Sequence, residues 1–315
     1  MTPAIERGPF FGYDAIHWMV SEQAARSNPD MKQFAPNHHE DFAQHGKSAP
    51  LRVAIAGLGA IGMRIAEALD RGIPGCALAA VSANDRGKAA ARLAHLGRPP
   101  SVVPIAELEP LADLVIECAP ASLLPAIAEP FLRAGKSVLV LSVGAILVNE
   151  HLIDLARKHG GQIVVPTGAL LGLDAVAAAA EGKIHSIRMV TRKPVRGLAG
   201  APYLAEHNIR IEDITAPLCI FRGTPREAAI GFPANLNVAV ALSLAGIGPD
   251  KTTLEIWADP SLERNVHRIE VVADSASFSM QIENVPSENP RTGRITALSV
   301  ISYLRKLGAP LRVGS

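Results

Sequence analysis

Four short segments carry the side chains that could do chemistry. His267 lies in Asp259-Pro-Ser-Leu-Glu263-Arg264-Asn265-Val-His267, at the head of an alternating apolar–polar stretch. Imidazole has the ordinary pKa that suits proton transfer near neutral pH, so His267 is the acid–base candidate, with a structural histidine as the other reading. Thr191-Arg192-Lys193-Pro194 ends a strand with two cations, which could hold substrate carboxylates or form a surface pair. Phe232-Pro-Ala-Asn235-Leu-Asn237 opens a helix. Asn235 suits either an N-cap or a substrate contact, and the Asn237 amide suits a carboxamide or the substrate. Asn289-Pro-Arg291-Thr292 opens the last helix, with Thr292 as a cap, Arg291 as a further cation and the helix start as an anion site.

A fifth segment says what these groups would act with. Val53-Ala-Ile-Ala-Gly57-Leu-Gly59-Ala60-Ile61-Gly62-Met-Arg-Ile-Ala is an apolar strand, a Gly-x-Gly-x-x-Gly turn and an amphipathic helix. Gly57 permits the tight turn, Gly59 lets a pyrophosphate approach the backbone, and Gly62 allows close helix–sheet packing. The free N–H groups and positive dipole end of the helix favour phosphate. A nicotinamide or flavin dinucleotide is expected, contacted through Gly57, Gly59, Ala60, Ile61 and Gly62. FAD is the weaker expectation, since no second FAD signature is present. Cys118-Ala119-Pro120 follows a later strand at the cofactor side, and Pro166-Thr-Gly-Ala169 follows another; both are small enough to line a nicotinamide site. Cys118 could instead be a thiol nucleophile, but it opens a helix in the nucleotide half and reads as a lining residue. The acid that takes the ribose hydroxyls in NAD enzymes would fall near Ala83, which is neutral. Asn84 and Arg86 could accept a 2′-phosphate, so NADP is expected alongside NAD.

The elements that must position these groups fall into two textures. Strands at 51–56, 77–81, 113–117, 137–141 and 162–165 alternate with helices at 61–70, 86–96, 123–134 and 147–158, with a short edge element near Val102 and Glu107. Nearly continuous apolar strands between helices imply a parallel sheet covered on both faces. Beyond residue 170 the strands 184–191, 268–273 and 278–284 alternate apolar and polar side chains, as in an antiparallel sheet with one wet face. Helices are expected at 234–245 and 292–307. The fold class is therefore α/β: an N-terminal Rossmann-type doubly wound parallel sheet with a C-terminal α+β, largely antiparallel domain. The expected division is 1–50 as a partly irregular extension, 51–168 as the dinucleotide domain, 169–290 as a substrate and dimerisation domain, and 291–315 as a helix returning to the nucleotide domain. Within the extension, Tyr13 to Ala25 could form a helix, and His38-His39-Glu40-Asp41 reads as a solvated polar run rather than a metal cluster.

Composition narrows the partners. A net charge of +1 gives no electrostatic reason to expect nucleic acid or an acidic membrane. The three cysteines, Cys76, Cys118 and Cys219, are too far apart in sequence for a zinc or disulfide framework, so no metal and a cytoplasmic setting are expected. No signal-peptide pattern or long apolar run is present, so a membrane partner is not expected.

Read in order, Gly57-Leu-Gly-Ala-Ile-Gly62, Glu117-Cys-Ala-Pro, Ser142-Val-Gly-Ala145, Pro166-Thr-Gly-Ala-Leu, Thr191-Arg-Lys-Pro194, Phe232-Pro-Ala-Asn-Leu-Asn-Val238, Asn265-Val-His267 and Asn289-Pro-Arg-Thr292 resemble the L-aspartate dehydrogenase family over roughly residues 51 to 312. The resemblance implies oxidation of L-aspartate to iminoaspartate with NAD or NADP, then oxaloacetate and ammonia, with iminoaspartate able to feed NAD biosynthesis. It implies that His267 is catalytic, that Ala169 and Asn237 lie by the nucleotide, and that the chain forms a homodimer. The two substrate carboxylates would meet cations among Arg192, Lys193 and Arg291. The chain departs from the family core in its N-terminal extension and in the missing second-strand acid. Two other readings stand: a homoserine or semialdehyde dehydrogenase, and a non-catalytic NAD(P) sensor.

Overall fold

The computed structural model describes residues 49–232, 236–286 and 293–314, and Pro50–Ser315 form one compact unit. The expectations for Tyr13 to Ala25 and for the His38 cluster lie outside the described residues, as do Asn235, Arg291 and Thr292.

The first half alternates β1 (Leu51–Ala56), α1 (Ala60–Asp70), β2 (Cys76–Ser82), α2 (Arg86–Leu93), β3 (Ser101–Val102), β4 (Leu114–Glu117), α3 (Leu124–Arg133), β5 (Ser137–Val140), α4 (His151–His159) and β6 (Gln162–Val164). The strands form a six-stranded parallel sheet in the order β3-β2-β1-β4-β5-β6. Period-two alternation explains why both faces are apolar. Val53 and Ile55 of β1 pack with Leu114, Ile116 and Leu139 in one core cluster. Ala54 and Ala56 pack with Val115, Val138 and Val140 in the other. Ile65, Ala66 and Leu69 of α1 cover the first face, and Ile127, Ala128 and Phe131 of α3 cover the second. The sheet order reverses between β1 and β4, and the carboxyl ends of those two strands open the crevice where ligands bind in such sheets.

The second half contains α5 (Leu173–Ala180), β7 (Ile184–Lys193), α6 (Pro202–Glu206), β8 (Leu218–Gly223), α7 (Pro225–Gly231), α8 (Asn237–Ala245), β9 (Thr253–Ala258), β10 (Asn265–Ala273), β11 (Ser277–Asn284) and α9 (Ile295–Leu307). Its five strands run β11-β10-β7-β9-β8, antiparallel except for the parallel pair β7–β9. Ile187 and Met189 of β7 with Ile269 and Val271 of β10 turn to the core. The opposite face carries ion pairs, among them Arg188 with Glu255 and with Glu270, each at 2.9 Å. Ala297, Val300 and Leu304 of α9 join the core cluster that contains α1.

Several elements differ from the sequence expectation. The edge near Glu107 is a pair of single-turn 3-10 helices, Ile105–Glu107 and Glu109–Leu111, because Pro104 and Pro110 cannot donate to a ladder. The helix expected from Leu147 begins at His151, after a 3-10 run Val143–Val148 whose end is tied by Asn149 Nδ2 donating to the Ala145 carbonyl at 2.8 Å. β10 begins three residues earlier than the alternation suggests, which places His267 inside a strand rather than at its head. Among the described residues no helix is long and apolar enough to cross a membrane.

Candidate active site

The carboxyl ends of β1, β4 and β5 face β7, β10 and β11 across a cleft of about 310 Å³. One wall is built for a dinucleotide. Gly57 has φ +104°, and a Cβ there would run into the carbonyl of Cys118. A Cβ on Gly62 would run into the carbonyl of Gly57. Both glycines are thus demanded by the protein itself. Gly59 differs: a Cβ there meets nothing within 4 Å, so only a ligand could require its absence. Helix α1 starts beside it without a side-chain cap, and Ala60 and Ile61 border the cleft. Gly59→Ala is therefore expected to leave the melting temperature nearly unchanged while weakening NADH binding about tenfold or more through steric conflict. Fluorescence titration with NADH checks this, and unchanged affinity would remove Gly59 from the nucleotide site.

Glu117 ends β4 and is fully buried. Its Oε1 accepts from the Ala119 N–H at 3.1 Å and the Ser142 hydroxyl at 3.0 Å. Its Oε2 accepts from the N–H groups of Leu141 at 3.1 Å and Ser142 at 2.8 Å. One carboxylate therefore fastens together the ends of β4 and β5 that line the cleft. Burial pushes its pKa above the ordinary range against the pull of these donors. Burial, reinforced by the Glu117 charge, drives the Cys118 thiol well up, so it is a neutral lining group and a poor nucleophile.

The other wall is one face of the second sheet. His267 lies directly opposite Thr191 in the β7–β10 pairing, and Asn265 lies opposite Asn284 in the β10–β11 pairing. Lys193 is two residues beyond Thr191 and so shares its face. His267 is 2% exposed, and its Nδ1 lies 3.2 Å from the Thr191 hydroxyl oxygen. Burial, and then the nearby Lys193 charge, lower the His267 pKa to about 3, so the imidazole is neutral. Burial lowers Lys193 to about 8.

The cleft brings together Gly59, Ala60, Ile61, Cys118, Ala119, Ala169, Lys193, Asn237 and His267 of the residues expected from sequence. Arg192 needs correction as a partner of Lys193. Neighbours on a strand face opposite ways, and Arg192 turns to the outer face, where it pairs at 2.6 Å with the buried Asp259. Asn84 and Arg86 are exposed just past β2, and Pro120 is exposed past β4; none of the three lines the cleft. Asp85 uses Oδ1 to cap α2 by accepting from the Lys88 N–H at 3.0 Å. Asn237 Oδ1 accepts from the Gly144 N–H at 3.0 Å, joining α8 to the loop after β5. Sequence reasoning passed over Glu117, Asn265 and Asn284 as site residues. It also missed Arg92, whose guanidinium donates at 2.6 Å to the carbonyl of Leu58 in the glycine turn.

Comparison with known proteins agrees with this geometry. Residues 174–307 match the family described as "Aspartate dehydrogenase, C-terminal", and residues 57–166 match "Homoserine dehydrogenase, NAD binding domain". The chain is 62% identical over 268 residues to an L-aspartate dehydrogenase of Bradyrhizobium diazoefficiens, covering 85% of this chain and 95% of that one. It is 60% identical over 266 residues to L-aspartate dehydrogenase 3 of Bordetella bronchiseptica, covering 84% and 98%. The crystal structure of an aspartate dehydrogenase from Thermotoga maritima superposes with a TM-score of 0.66 at 21% identity, covering 84% of this chain and 99% of that one, and shares the fold. A pyridine-nucleotide sheet, a buried histidine facing it and this degree of identity together mean that the chain belongs to the L-aspartate dehydrogenase family.

Proposed function

We propose that this protein oxidises L-aspartate at Cα with NAD or NADP, giving iminoaspartate that hydrolyses to oxaloacetate and ammonia. The observation that carries the proposal is a neutral buried imidazole beside a buried lysine, facing an open glycine turn across one cleft. The open space at Gly59 and the uncapped start of α1 fit a pyrophosphate. Bound there, a nicotinamide nucleotide supplies the hydride acceptor.

The chain's own groups do the rest. The substrate amine must be neutral, because an ammonium nitrogen has no lone pair to form the C=N bond. In the His267 tautomer that carries its proton on Nδ1, that nitrogen donates to the Thr191 hydroxyl oxygen, and the other ring nitrogen keeps the lone pair that takes the proton from the amine, or from the water that attacks the imine. Lys193 holds one substrate carboxylate, and Arg291 with Thr292 and Asn235 are the proposed partners of the other. The Lys193 charge that lowers the His267 pKa is offset once a carboxylate sits against it, so substrate binding itself makes His267 a stronger base. The amide N–H₂ of Asn237, whose Oδ1 is held by the Gly144 N–H, is the proposed partner of the nicotinamide carboxamide. We also propose a homodimer working in the cytoplasm, as the family resemblance implies.

The nucleotide choice is argued from the end of β2. Asp85 is spent on capping, Ala83 offers no acid, and Arg86 is exposed there. NADP is thus accepted beside NAD. Arg86→Ala is expected to raise KM for NADP about tenfold with little change for NAD, the loss of a charge-assisted phosphate contact. Equal changes for both nucleotides would refute a 2′-phosphate role.

The direct test is nucleotide reduction by purified protein with L-aspartate, D-aspartate, L-glutamate and L-homoserine, each with NAD and NADP. Reduction with L-aspartate alone is expected. Activity on L-homoserine instead, or NADH binding without turnover of any of the four, would overturn the proposal.

A further inference from the structure

Asn284 ends β11 and is only 4% exposed. Its Nδ2 donates to the carbonyl of Ala169 at 2.9 Å, which fixes the plane of the amide. Its Oδ1 is buried and has no hydrogen-bond partner among the described residues. A buried acceptor left unmade is costly and asks what donor the site is built for. The residue lines the cleft beside His267, and only the glycine backbone of Gly293 packs over Oδ1, where a Cβ would come within 3.2 Å of that oxygen.

We propose that Asn284 Oδ1 accepts a hydrogen bond from the amino nitrogen of the substrate and is the residue that reads the amine. The inference rests on the L-aspartate reading above. The chemistry selects the partner. Both carboxylates of the substrate are acceptors and are repelled by Oδ1; the amine is the substrate group that brings N–H donors, and it still has two of them once it is neutral. The nicotinamide carboxamide is the other donor that enters such a cleft, but Asn237, held by the loop after β5, faces that side. Asn284 instead stands on the same sheet face as His267, two residues along in the pairing. Fixing one N–H also fixes the direction of the nitrogen lone pair, which must align with the breaking C–H bond as C=N forms.

The test uses the full chain with two variants, Asn284→Leu and Asn284→Asp. The wild-type protein must first reduce nucleotide with L-aspartate; if it does not, the L-aspartate reading fails and not this assignment alone. Four readouts follow: KM for L-aspartate, KM for ammonia in the reverse direction, the inhibition constant of succinate, and the dissociation constant of NADH. Asn284→Leu is expected to raise both KM values about tenfold or more, with succinate and NADH within about twofold, since succinate has the carboxylates and no amine. Asn284→Asp keeps an oxygen toward the cleft but loses the donor to Ala169. It is expected to hold KM for L-aspartate near wild type, and it serves alone if the leucine variant does not fold. A parallel loss of succinate affinity would make the role structural, and a loss of NADH affinity would assign Oδ1 to the carboxamide; either overturns the proposal. Equal damage from the aspartate variant, or an unchanged KM in the leucine variant, overturns it too.

Discussion

Replacing His267 by alanine is expected to lower kcat about 10²- to 10⁴-fold while leaving the NADH dissociation constant within about twofold, the range for loss of a positioned proton-transfer group. Residue 267 faces the cleft because β10 pairs with β7 in the register that sets it against Thr191. The threonine hydroxyl then orients the ring, and burial with the Lys193 charge keeps it neutral, at a pKa of about 3 in the free protein. A neutral ring is a base that needs no activation by pH. The kcat/KM of the wild type should accordingly rise with pH up to about 8 as the neutral fraction of the substrate amine grows and level off above it as Lys193 deprotonates, with no inflection near the ordinary histidine value. Thr191→Val should lower kcat less than His267→Ala does, since it frees the ring without removing it. An alanine variant that keeps wild-type kcat would take His267 out of the chemistry, and a loss confined to NADH binding would reassign it to the cofactor.

What could be read from the sequence, and what could not, follows from the range of each constraint. The glycine turn is legible from its own spacing: Gly62 answers to Gly57 and Ile55 within the strand–turn–helix, while Gly57 also answers to Cys118 at the end of β4, its neighbour in the sheet. The two-layer core of the first sheet is local, since alternate residues of each strand must find two apolar faces. The site wall is not local. Whether Asn265 and Asn284 stand side by side depends on the register of β10 with β11. The end of β7 shows the cost of reading two cations as a pair. The strand runs on to Lys193, so its period of two sends Lys193 to the cleft and Arg192 to Asp259. Strands β8 and β9 were not foreseen, because Leu218–Gly223 and Thr253–Ala258 carry Arg222 and Glu255, a cross-strand ion pair that interrupts their apolar runs. Glu117 was read as the end of a strand; its four donors come from backbone and side chain at the ends of β4 and β5, and no spacing in the sequence announces them.

Lys193→Met is expected to raise KM for L-aspartate about a hundredfold and, at neutral pH, to stabilise the fold. A buried charge that holds a carboxylate is worth about 2–5 kcal/mol to binding when truncated, which sets the size of the first effect. The second comes from linkage. The folded pKa of Lys193 is about 8 against an ordinary 10.5, because burial disfavours the ammonium. The unfolded chain therefore binds the proton more tightly, and stability is complete only above the unfolded value and falls as pH drops toward about 8. Below that pH the protein carries the full penalty, and methionine, of similar length and no charge, removes about 1–3 kcal/mol of it. The binding side has the opposite sign. A dicarboxylate needs the ammonium form, so the succinate inhibition constant of the wild type should be flat below about pH 8 and weaken as Lys193 deprotonates above it. Succinate has no amine, so this limb is free of the substrate's own titration. In Lys193→Met the succinate constant should be weak and flat across the same range. Thermal melts and succinate inhibition at a series of pH values measure both sides. A methionine variant that melts lower than wild type at neutral pH, or that keeps the alkaline limb for succinate, would place the titrating carboxylate clamp on another residue.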